Sequence, residues 1–203
     1  MPNSRRHRRV VGLPLAAAAL LFPVTVEAHS SANLAGGFVA GFEHPLTGFD
    51  HLLAMVAVGL WGAFLGRPLI VALPVIFPTV MTLGALLAIL GLPLPPVELG
   101  IALSVLALGL AIAGAVRAPV WAAALIVGTF AIFHGYAHGK EIPSLADPVA
   151  YSLGFVLATG LLHVTGITLG LLNTRPGGAV ATRSLGGLIA ACGAYFLWRA
   201  LAG

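Results

Sequence analysis

PVWAAALIVGTFAIFHGYAHG, residues 119–139, contains no Asp, Glu, Lys or Arg. Wound as an α-helix at about 1.5 Å per residue it reaches about 30 Å, the thickness of a bilayer's hydrocarbon core. Five further apolar runs share the chain with it, at about 48–66, 69–91, 97–116, 148–172 and 183–201. Helix breakers separate them: Gly66-Arg67-Pro68, the Gly91 to Pro96 stretch, Arg117-Ala118-Pro119, the polar residues from Lys140 to Pro148, and Asn173 to Thr182. The expected fold is therefore an all-α polytopic membrane protein, a bundle of six transmembrane helices.

Composition agrees with that frame. Of 203 residues, 59% are hydrophobic and 8% charged, against about 25% charged in soluble domains. The 26 glycines and 14 prolines suit a bundle in which small residues let helices approach and breaks are satisfied internally. The formal charge of +4 is supplied by Arg5, Arg6, Arg8 and Arg9 alone, the other charges cancelling. No basic face for nucleic acid remains. Cys192, the single cysteine, has no partner for an internal disulfide.

Residues 1–28 read as a secretory signal peptide. A basic head precedes an apolar core from Val10 to about Val24, and Val26-Glu27-Ala28 forms a cleavage triplet. The alternative is an uncleaved first helix, against which stand the short core and its interruption by Pro14 and Pro23. Cleavage leaves a membrane domain of residues 29–203 with His29 at an extracytoplasmic amino terminus, where amine and imidazole together can meet a cation. Six crossings then return the carboxyl terminus to the same side. Arg67, Arg117, Arg175 and Arg183 all fall in cytoplasmic loops, as the positive-inside rule requires, with Lys140 and Arg199 as exceptions.

Ionisable groups in such a frame mark function. One cluster is Glu43-His44-Pro45-Leu46-Thr47-Gly48-Phe49-Asp50-His51, running into the first span; the other, Phe133-His134-Gly135-Tyr136-Ala137-His138-Gly139-Lys140-Glu141, closes the fourth. His134, His138 and Glu141 share a helical face. Pro45 and Gly48 offer a bend that turns His44 back toward Asp50 and His51, and Asp50 can cap its helix or orient an imidazole. With the first span starting outside and the fourth ending there, both clusters meet at the extracytoplasmic end. His44, Asp50, His51, His134, His138 and Glu141 are thus candidate ligands of a divalent transition metal, for which imidazole suits nickel, cobalt, zinc or copper. Met55, one turn below His51, and His163, deep in the fifth span, are candidate waypoints. Glu98 opens the third span, and Phe77 between Pro74 and Pro78 suggests a kinked pore wall.

The stretches His44 to Met55 and Phe133 to Glu141 resemble the two signatures of the HupE/UreJ family of nickel and cobalt permeases, over essentially the whole mature chain. The resemblance implies secondary uptake of nickel, or of cobalt, without a permanently bound cofactor, in a bacterial inner membrane. It further implies a link to hydrogenase or urease maturation, and it matches His44, Asp50 and His51 to the first motif and His134, His138 and Glu141 to the second. Phe77 and Glu98 are similar to residues that the family uses in its second and third spans. Two other readings compete. A membrane metalloenzyme would use the same cluster, although no HExxH motif supports it, and a haem protein would use paired membrane histidines as axial ligands.

Overall fold

Proline and glycine cut the apolar chain into helices, and a helix is what the apolar stretches must form, since the hydrocarbon offers backbone N–H and C=O groups no other partner. The computed structural model describes residues 37–141 and 148–203. The signal-peptide residues and His29 lie outside them. Among the described residues the chain forms α1 (Gly37–Thr47), α2 (Phe49–Leu65), α3 (Leu69–Ile89), α4 (Val97–Ala113), α5 (Val120–Glu141), α6 (Pro148–Leu171) and α7 (Gly178–Ala202), with a short 3-10 turn, Leu172–Thr174, after α6.

The helices make an all-α, membrane-spanning bundle. α3, α5, α6 with its 3-10 turn, and α7 are each long and apolar enough to cross a bilayer. α1 and α2 together can supply a fifth crossing, bent by 80° at their junction. α4 has 17 residues and stops at Gly114, short of the expected Val116, because the chain turns there with Ala115 at φ 52°. The bend expected at Pro45 and Gly48 is present, and the residues before Gly48 form a helix of their own. Pro45 lies inside α1, and Gly48 adopts an extended conformation that ends one helix and starts the next.

The bundle is inverted relative to a soluble protein. Val71, Val75, Leu83, Leu125, Leu153, Val164 and Leu188 are exposed, whereas Ser104, His134, His138, Thr159, His163 and Thr182 are buried. An apolar surface this extensive is stable only against lipid. Close helix contact is made through glycine. A Cβ at Gly84 would land on the Ile132 carbonyl, one at Gly135 on that of Met81, and one at Gly139 on Ala85, so α3 and α5 meet backbone to backbone. Gly59 and Gly166 do the same for α2 and α6, against His163 and Val56.

The end of the bundle opposite the histidines is tied by polar contacts to backbone. Trp61 Nε1 donates to the Val116 carbonyl at 3.2 Å, and Arg183 Nε to the Ala113 carbonyl at 2.8 Å. At the histidine end, the Tyr136 hydroxyl donates to the Leu92 carbonyl at 3.0 Å, and the Lys140 ammonium sits 5.0 Å from the centre of the Tyr136 ring.

Candidate metal centre

The site is assembled from the bend before α2, the last two turns of α5 and the first half of α6. Thr47 closes α1 by donating its hydroxyl to the His44 carbonyl at 2.9 Å. The extended Gly48 then starts α2, so that Asp50 and His51 occupy its first turn. Asp50 makes no cap. Its Oδ1 accepts the His51 backbone N–H at 2.8 Å and lies 2.8 Å from His51 Nδ1. A carboxylate can only accept, so Nδ1 carries the proton and Nε2 the lone pair. That Nε2 is buried with no hydrogen-bond partner.

His134 is oriented the same way by a group that the sequence did not single out. Ser104 of α4 donates its hydroxyl to the Ile101 carbonyl at 2.6 Å, and its oxygen lies 2.9 Å from His134 Nε2. With its only proton committed, Ser104 accepts from Nε2–H. His134 Nδ1 therefore holds the lone pair, again buried and unpartnered. Ser104 and Glu98 are the polar side chains of α4, and a single hydroxyl in so apolar a helix was the available signal.

His138 has no hydrogen bond at either ring nitrogen. Glu141 Oε2 lies 3.9 Å from its Nδ1 and 3.3 Å from His44 Nε2. One ligand atom each from His44, His138 and Glu141 fall within 4.8 Å of one another, close enough to hold one metal ion. His134 is not part of that trio. It lies seven residues before Glu141 in α5, about 10 Å along the axis, so the expected single stripe divides between two depths.

The four imidazoles form a continuous ladder. Ring centres are 4.8 Å apart for His44 and His138, 4.5 Å for His138 and His51, and 4.7 Å for His51 and His134. Its two ends differ in exposure, with His138 at 6% and His51 at 13% between them. The His44 side chain is 32% accessible, whereas His134 is fully buried. Phe155 packs 4.5 Å from His138, and Tyr151 packs 5.9 Å from His44. These two α6 aromatics wall the ladder, and helical spacing alone did not distinguish them from packing.

The remaining candidates lie outside the rim trio. Met55 is buried one turn below His51, and Phe77 and His163 are buried deeper in the bundle. Glu98 is exposed in the first turn of α4 and belongs to no ion pair or ligand group among the described residues. Chemically, the ladder presents lone pairs of fixed direction beside a carboxylate, a donor set for a borderline divalent ion.

Residues 17–196 match the family described as HupE / UreJ protein. The chain is 44% identical over 180 residues to Protein HupE of Rhizobium leguminosarum bv. viciae, an alignment covering 89% of this chain and 94% of that protein. No solved structure matches it. The match spans both histidine motifs and every described helix that carries the ladder, and on that extent the chain belongs to the HupE/UreJ family.

Proposed function

We propose that the protein is a secondary transporter that carries divalent nickel, with cobalt as the second cargo, through the bacterial inner membrane into the cytoplasm. One observation carries the reading: four imidazoles run in contact from a rim about one-third exposed to a fully buried position, with three of the rings leaving a buried nitrogen unpartnered. A resident metal needs one closed set of ligands, or one with a single open position. Successive ligands between an accessible end and a buried one suit an ion that sheds its water in steps. His44, His138 and Glu141 would receive the hydrated ion at the rim, and His51 and His134 would replace its remaining water further in. Asp50 and Ser104 would hold those two rings in the ligating tautomer.

In this reading the bundle crosses six times, as the bent α1–α2 pair and then α3 to α7, after removal of residues 1–28. α4 is long enough for the task, since about 17 residues is the lower bound for a spanning helix. Arg67, Arg117 and Arg175 lie in loops and Arg183, expected in a loop, in the second turn of α7, all at the end opposite the ladder, which the positive-inside rule makes cytoplasmic. Both mature termini are then extracytoplasmic. An inside-negative potential favours inward movement of a divalent ion by about 4.6 kcal/mol per 100 mV. The choice of nickel rests on the family, as does a role in supplying hydrogenase or urease maturation, because the donor set by itself would also take zinc.

The test is uptake of labelled nickel and cobalt into sealed membrane vesicles at matched expression. Wild type is expected to accumulate nickel, and His51→Ala and His138→Ala to lose it. Undiminished uptake by both variants would remove the ladder from transport, and accumulation of zinc alone would reassign the cargo.

A further inference from the structure

Below the ladder lies a second group of buried donors that the outer cluster does not use. His163 and Thr159 stand four residues apart on α6, one turn on one face, and are 1% and 0% exposed. His163 Nε2 and Thr159 Oγ1 are both buried without a hydrogen-bond partner. A buried polar atom left unpaired costs about 1 to 3 kcal/mol, and here two lie one helical turn apart in an apolar bundle. The Pro74 carbonyl of α3 would in a regular helix accept from residue 78, but Pro78 has no N–H. His163 offers a buried ring nitrogen, Nε2, that no protein group engages.

Phe77 stands between the two groups. Its ring centre is 5.4 Å from that of His134 and 5.5 Å from that of His163, and its side chain is fully buried. It is flanked by Pro74 and Pro78, both inside α3, so the segment carrying it lacks two helical N–H donors and can bend at low cost.

We propose that His163 and Thr159 form an inner station for the transported divalent cation, separated from the histidine ladder by the ring of Phe77, which must swing aside for the ion to pass. The proposal rests on reading the ladder as the ion's way in. An ion leaving His134 Nδ1 finds an apolar ring next, and beyond it an imidazole nitrogen and a hydroxyl oxygen. The ring keeps the two stations from joining into one continuous polar path, so that the inner end stays shut while the outer end loads. Movement of Phe77 on the proline-flanked segment then couples release from His134 to capture by His163.

The test uses the full chain purified in detergent, with cobalt(II) as a visible probe of imidazole ligation, together with nickel uptake in sealed vesicles. His163→Ala is expected to keep the cobalt spectrum of the ladder while losing uptake by about tenfold or more, the scale of a damaged metal site. Phe77→Ala, with the divider gone, is expected to bind a second cobalt equivalent, and the double variant with His163→Ala only the first. Wild-type uptake by His163→Ala, or a Phe77→Ala protein that still binds a single equivalent, overturns the inner station. Failure of the underlying reading has a different signature: His51→Ala and His138→Ala would keep both the first cobalt equivalent and uptake.

Discussion

Asp50 Oδ1 lies 2.8 Å from His51 Nδ1 and also accepts the His51 backbone N–H at 2.8 Å, so one carboxylate oxygen sets both the start of α2 and the direction of the imidazole lone pair. Asp50→Asn keeps the size of the side chain but surrenders the charge, and it allows an amide N–H to face the ring. Nickel affinity and uptake are expected to fall by about 10- to 100-fold, the usual effect of losing an acceptor behind a ligating histidine. Titration of purified protein with nickel, beside uptake in vesicles, checks it; unchanged affinity would show that the pair only stabilises the helix start.

Ser104→Ala removes the acceptor of His134 Nε2–H. It strands a buried donor at a cost of about 1 to 3 kcal/mol and frees the ring to exchange tautomers. Uptake is expected to drop while the fold persists. Ser104→Thr, which keeps the hydroxyl, should restore most of the activity. Equal loss in both variants would point to packing in α4 instead.

Gly135→Ala drives a methyl group into the Met81 carbonyl. Because the obstacle is backbone, α3 and α5 must separate, at a cost of about 1 to 3 kcal/mol. The expected result is a lower melting temperature in detergent and a smaller yield of folded protein. Gly160→Ala, which meets open space, should do neither.

Uptake should weaken in acid. A protonated imidazole has no lone pair, so protons compete with the metal for the ladder nitrogens, and transport is expected to fall as the medium is made acidic at a fixed membrane potential. Uptake that stays unchanged from neutral pH to the most acidic medium the sealed vesicles withstand would contradict imidazole ligation.

Much of this is legible in the sequence. Hydrocarbon thickness fixes helix length, so the apolar runs between breakers foretold α3, α5, α6 and the body of α2. Alternation of the loops placed the Asp50-His51 end beside the His134-His138 end. What sequence spacing could not supply was depth. His134, His138 and Glu141 share a helical face, yet the rise along α5 puts His134 with His51 and Ser104, and Glu141 with His44. Nor could it supply the angle of the bend. Pro45 and Gly48 announced a break but not a separate α1 turned by 80°, which is what carries His44 onto His138. Ser104, Tyr151 and Phe155 were hidden because a hydroxyl or an aromatic ring in an apolar helix is usually packing. Their role depends on neighbours in other helices.

X-ray absorption at the nickel edge, on purified protein loaded with one equivalent, addresses the ladder most directly. The trio at the rim supplies two imidazoles and a carboxylate, so the account predicts at least two imidazoles in the coordination sphere of the wild type and one fewer in His138→Ala. A nickel ion surrounded only by oxygen, or a spectrum indifferent to His138→Ala, would contradict it.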